Sequence, residues 1–157
     1  MAELDSFIGL SMALTGLSST EIPSAAQIRD VSGAAVSLAQ VYLDRLRKAY
    51  PTEFADLLSK WMQIEGSPDP DSALGALLAS EAGARLAARE IVKIWYLSTI
   101  DDPMKPIDAT GKSAGQLGGD LGQFQLSAMW KLIGAPVPGY SNLPHGYWIN
   151  PPDGVSP

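Results

Sequence analysis

The chain has no cysteine and a single histidine, His145, among its 157 residues. The first absence excludes disulfides, thiolate metal sites and cysteine nucleophiles together, and it leaves the redox compartment unmarked. The second excludes a metal site built on two histidines. Charge is scarce too: 18% of residues are charged, so the chain has less charge than a free-standing soluble surface usually shows. The scarcity is uneven, because residues 113–157 carry only Asp120, Lys131 and Asp153 as formal charges. A net charge of −6 argues against nucleic acid or an anionic membrane surface as partner, since both need clustered Lys and Arg, and the short basic run Arg45, Arg47, Lys48 reads as the C-terminal turn of a helix. No apolar run approaches the ~20 residues of a membrane-spanning helix. The apolar stretch 7–17 follows Glu3 and Asp5, with no Lys or Arg before Arg29, so it does not read as a signal-peptide core.

What is present is helical periodicity in a chain long enough for one domain with a buried core. Asp5 reads as the N-cap of a helix through Leu14, with Phe7, Leu10 and Leu14 on one face and Gly16 at its stop. Ser18 and Glu21 form a capping-box pattern. Residues 24–49 read as helix, broken or bent near Gly33, with Ala35, Leu38, Tyr42 and Leu46 along one face. A third helix from Thr52 or Glu53 carries Phe54, Leu57, Leu58 and Trp61, and the GSPDPD cluster at 66–71 is a turn. The alanine- and leucine-rich stretch from Ser72 to Leu97 predicts a short helix and then a longer one with Leu86, Ile91, Ile94 and Trp95. Residues 100–120 predict an irregular surface connection. Leu121 to Ile133 predicts a last helix through Leu121, Phe124, Ala128 and Leu132, closed by Gly134.

No stretch sustains two-residue alternation, so the expected fold is all-α: a small helical bundle over 1–133, followed by a long irregular C-terminal arm over 134–157. The arm holds six prolines, four glycines, Tyr140, Tyr147, Trp148 and His145. Prolines exclude a helix or central strand there, and they stiffen the segment so that docking orders little more of it. Rigid aromatics on such a segment suit an interface, with the domain's own surface as the competing place for them to pack.

Catalytic patterns are weak. Ala109 to Ser113 has the end of a phosphate-binding loop, but Pro106 stands where that loop needs a glycine. Gly115, Gly118, Gly119 and Gly122 miss the dinucleotide-binding spacing. Ser141, His145 and Asp153 have the residue types of a triad, yet all lie within the arm, without a scaffold to fix their geometry. Asp69, Asp71, Asp101 and Asp102 sit in turn sequences where caps or loop solvation are expected. We therefore expect no catalytic, cofactor-binding or metal residues in this chain. Trp95, Tyr96 and Trp130 read first as core or core-edge residues.

LSMALTG at 10–16, WYLS at 95–98 and MWKLIGAPVPGYSNLPHGYWINPP at 129–152, in that order, resemble the small (gamma) subunit of bacterial FAD-dependent sugar and polyol dehydrogenase complexes, of the sorbitol dehydrogenase type. The resemblance spans most of the chain. It implies a non-catalytic subunit that binds and stabilises the FAD-carrying large subunit and assists its maturation and twin-arginine export. It also implies a multihaem cytochrome c subunit in the full complex, with FAD and haem on the partners. The implied location is the periplasmic side of the inner membrane, although no export signal is read in this chain. Lacking cysteine, the arm would dock through Tyr140, Asn142, His145, Tyr147 and Trp148, together with Trp130 and the low-charge helix before it. The alternative is a free-standing α-helical binding protein whose arm closes over a small apolar ligand.

Overall fold

The structure is a computed structural model that describes residues 2–29, 33–105, 108, 113–135 and 137. Helices dominate, and α5 (Ala82–Leu97) lies at their centre, packed against α1 (Ala2–Thr15), α3 (Pro51–Ile64) and α4 (Pro70–Ser80). Its buried stripe of Ala84, Ala87, Ala88, Ile91, Ile94 and Trp95 recurs at helical spacing, which is why it can face several neighbours at once. Phe7 of α1 stacks on Trp95 at 6.1 Å between centroids and meets Phe54 of α3 edge-on at 5.9 Å. Tyr42 of α2 (Leu38–Ala49) meets the other side of Trp95 edge-on at 5.0 Å. Four helices thus share one aromatic cluster, of the offset and edge-on kind that ring quadrupoles favour.

Local chemistry explains most of the helix ends. Asp69 caps α4 by accepting from the Ser72 N–H at 3.1 Å, and Pro70 occupies the first turn, where its missing N–H costs nothing. Pro51 opens α3 in the same way. Gly16, at φ +70°, ends α1, as expected. The helix nevertheless begins at Ala2, ahead of Asp5, which lies within its first turn. Glu21 accepts both the N–H and the hydroxyl of Ser18, at 2.8 and 2.7 Å, but this closes a turn and no helix follows.

The fold is mostly helical without being strictly all-α, because two short hairpins replace parts of the expected helix and loop. Residues 24–37 do not continue the helix. Strand β1 (Gln27–Arg29) pairs antiparallel with β2 (Ala35–Ser37), with Ile28 opposite Val36. Gly33 adopts φ +82°, which no helix interior accommodates, and β-branched Ile28 and Val36 suit the pleated pair. The 100–120 connection is likewise not wholly irregular or exposed. Strand β3 (Thr99–Asp101) pairs antiparallel with β4 (Gln116–Gly118), and Ile100 and Asp101 are buried.

The expected helix 121–133 is two short ones, α6 (Leu121–Gln125) and α7 (Ala128–Leu132). Between them the Ser127 N–H turns back to the Phe124 carbonyl at 3.1 Å, a three-residue closure that ends the α-helical ladder. The split changes the buried face: Ala128 is inside, while Leu121 and Leu132 are 62% and 51% exposed. Of the expected arm, Gly134, Ala135 and Val137 belong to the described residues. Among the described residues no helix is long and apolar enough to cross a membrane.

Trp95→Ala should cost about 3–5 kcal/mol in urea unfolding, because it empties the shared aromatic site. Met62→Ala, on the exposed side of α3, should change stability by less than about 0.5 kcal/mol.

Candidate interaction surface

Helix α5 stops at Ser98, a buried residue in the left-handed conformation with φ 57°. The Ser98 hydroxyl donates to the Gln123 carbonyl at 2.7 Å, so the Tyr42 hydroxyl, also 2.7 Å away, is the donor to Ser98 Oγ. The Ser98 carbonyl accepts from Gly119 N–H at 2.9 Å and from Arg45 Nη1 at 3.1 Å, while Arg45 Nη2 donates to Gln123 Oε1. This hub fixes β4 and α6 to α2 and α5. Burial, partly offset by the Ser98 bond, pushes the Tyr42 phenol up to about 12, and burial lowers the Arg45 guanidinium.

Asp120 caps α6 by accepting from Gln123 N–H at 2.9 Å. Glycine at 119 makes room for this, since a Cβ there would lie 2.8 Å from the Gln123 Cβ and collide with Gln123 Oε1, the atom that Arg45 holds. Trp130 then braces α7 on α6: its indole N–H donates to the Phe124 carbonyl at 2.8 Å, and the two rings meet edge-on at 5.1 Å. Trp130 is half-buried, as a core-edge residue, beside the exposed end of α7.

The segment held in this way displays apolar side chains. Of the seven large hydrophobics exposed among the described residues, Leu117, Leu121, Leu132 and Ile133 lie on β4, α6, α7 and the turn after it. Every residue of β4 is exposed. Beside this segment, an open groove of about 640 Å³ is lined by Gln27, Ile28 and Arg29 of β1, by Asp120, Gly122, Gln125 and Leu126, and by Val137. Of the six expected docking residues, the structure places Trp130 on this surface. Tyr140, Asn142, His145, Tyr147 and Trp148 lie outside the described residues, as do Ser141, Asp153 and the 109–112 part of the phosphate-loop-like stretch.

A second polar cluster was not expected. Glu90 is fully buried on the apolar stripe of α5 and accepts from the Asp101 N–H at 2.7 Å and from Arg89 Nε at 2.9 Å. The Asp101 carboxylate receives Arg89 Nη2 at 3.1 Å and Lys93 Nζ, and the Asp101 carbonyl accepts from the Tyr50 hydroxyl at 2.8 Å. Burial, followed by the nearby Glu90 and Asp101 charges, raises the Tyr50 phenol. Asp101 therefore does more than cap or solvate a loop: it ties β3 to α5. The available signal was Glu90 itself, spaced with Ala87, Ile91 and Ile94. Two carboxylates neutralised by two cations make a clamp, and among the described residues no group of acids and histidines could hold a metal.

Glu90→Ala should destabilise the chain by about 1–3 kcal/mol, because it leaves the buried Asp101 N–H without its acceptor while Arg89 and Lys93 stay paired to the Asp101 carboxylate, whereas Glu90→Gln keeps an acceptor for that N–H and should cost less. Tyr42 is neutral when buried, so its contribution is complete below the ordinary tyrosine value of 10.0 and is lost as pH rises through about 12. Tyrosinate absorbance should show a late component, shared with Tyr50, that Tyr42→Phe reduces, and that variant should have a shallower loss of stability above pH ~10. The chain matches no protein-family profile, no curated protein and no solved structure.

Proposed function

We propose that this chain is a non-catalytic small subunit that binds and stabilises the FAD-carrying large subunit of a sugar or polyol dehydrogenase complex of the sorbitol type. In this reading it also assists the partner's maturation and twin-arginine export to the periplasmic side of the inner membrane. FAD belongs to the large subunit and haem to a multihaem cytochrome c subunit. The observation that carries an interaction role is the run of exposed Leu117, Leu121, Leu132 and Ile133 on a segment whose charged residues are Asp120 and Lys131. Apolar side chains with few charges among them suit the centre of an interface better than a solvated surface.

The dehydrogenase assignment rests on the three resembling blocks. The first two meet in the fold: the Tyr96 hydroxyl donates to the Thr15 carbonyl at 3.0 Å, and Leu10 and Trp95 are fully buried. The third begins on α7, which packs against α5. The described parts of the three blocks thus meet around α5. The groove beside β1 favours a second reading, a helical protein that binds a small apolar ligand, since its lining mixes Ile28, Leu126 and Val137 with a few polar groups.

A tagged chain drawn from its host extract should bring down a yellow flavoprotein near one-to-one, with dye-linked polyol oxidation. Leu121→Glu should weaken that association at least tenfold, about 1.4 kcal/mol, and Trp148→Ala should cost about 2 kcal/mol, while Met62→Glu on α3 and Lys112→Ala should have little effect. A colourless, stable, unaccompanied chain would overturn the subunit reading and favour the ligand-binding one.

A further inference from the structure

The groove beside β1 carries two opposite charges on different elements. Arg29 lines it from β1 and Asp120 from the start of α6, and both are exposed. They form no ion pair with one another, so more than contact distance separates them. Each is oriented by a bond to backbone: Arg29 Nη1 donates to the Gly33 carbonyl at 2.7 Å, and Asp120 Oδ1 accepts from Gln123 N–H at 2.9 Å. Those bonds engage one of the five N–H donors of a guanidinium and one of the two oxygens of a carboxylate. Ile28, Leu126 and Val137 line the same groove with apolar surface.

A groove lined in this way selects by charge as well as by apolar area. A purely apolar ligand would take water from both charges and give nothing in return, which costs free energy. An anion would meet the like charge of Asp120, and a cation that of Arg29. A zwitterion with an apolar body avoids all three penalties. The groove, at about 640 Å³, has the size of a site for a drug-like molecule and exceeds what one amino acid fills. A di- or tripeptide fits better, because its backbone sets ammonium and carboxylate at opposite ends with apolar side chains between them. Gln27 and Gln125 bring amide groups, of the kind that pair with a peptide bond.

We propose that the groove formed by β1, α6 and Val137 binds a short apolar peptide with free ends, its carboxylate on Arg29 and its ammonium on Asp120. The peptide's side chains pack on Ile28, Leu126 and Val137. The inference rests on the ligand-binding reading of the groove and makes its ligand zwitterionic. The subunit reading uses a different surface, so either can fail without the other.

Binding of leucyl-leucine to the full-length chain tests it, measured by calorimetry and by NMR shifts of the Ile28, Leu126 and Val137 methyl groups. N-acetyl-leucyl-leucine, without the ammonium, and leucyl-leucine amide, without the carboxylate, should each bind about fivefold more weakly. Arg29→Met should weaken leucyl-leucine by a similar factor and leave the amide unaffected, and Arg29→Lys should restore part of the loss. Asp120→Asn, which still caps α6, should weaken leucyl-leucine and leave the N-acetyl form unaffected. Ratios between probes on one variant report the pairing of charge with end, whatever the variant does to stability. Equal binding of uncharged N-acetyl-leucyl-leucine amide would overturn the proposal and keep the apolar-ligand reading. Equal binding of free leucine, or ratios that neither variant changes, would also overturn it. Failure of every probe to shift those methyl groups would overturn the proposal and the apolar-ligand reading together.

Discussion

The left-handed turn at Ser98 sets where α5 stops, and the position of β3, β4 and α6 follows from it. A non-glycine residue in this conformation carries steric strain of about 1–3 kcal/mol, so it persists only where its surroundings over-determine it. Here the surroundings are the Tyr42 hydroxyl, the Gln123 and Gly119 backbone and the Arg45 guanidinium, all converging on one buried serine. Three residues earlier, Trp95 sits in the aromatic cluster that joins α1, α2 and α3 to α5. The same helix end therefore terminates the apolar core and begins the polar lattice that carries the apolar outer surface.

That lattice makes use of buried charge. Glu90, Asp101, Arg89 and Lys93 neutralise one another at the junction of α5 and β3, with Tyr50 closing the backbone side. Buried ion pairs contribute little net stability compared with well-packed apolar residues, but they penalise misplacement severely, because any slip leaves a charge without its partner. The clamp and the Ser98 hub both act on the C-terminal half of α5. Between them they hold the β3–β4 hairpin and α6 in one arrangement, so that Leu117 and Leu121 project from a rigid support.

Several features of that surface were legible in advance. The sparseness of charge after residue 113 marked the segment that turns out to expose Leu117, Leu121, Leu132 and Ile133, and Gly134 marked the end of α7. The aromatic positions Phe54, Trp61 and Trp95 read correctly as core because their spacing matches one helical face. The hairpins were not legible. Each strand is three residues long, too short for alternation to show, and β3 and β4 are separated by a connection that by itself reads as loop. The split between α6 and α7 escaped for a related reason: Leu121, Phe124, Ala128 and Leu132 keep a helical period across a turn that only Ser127 interrupts.

Sequence alone determined the local features: the long helices and their buried stripes, the cap at Asp69, the stops at Gly16 and Gly134, the absence of thiol and paired-histidine chemistry, and the neutral character of the last third. These depend on residues a few positions apart, so helical period, capping chemistry and composition suffice to reveal them. Tertiary structure alone decided that Asp101 would be buried against Glu90, that Ser98 would gather Tyr42 and Gln123, and that β1 would line a groove with Leu126 and Val137. Each of these joins residues 11 to 100 or more positions apart in the chain, where pairing depends on how α5 packs its neighbours and leaves no periodic mark in the residues themselves.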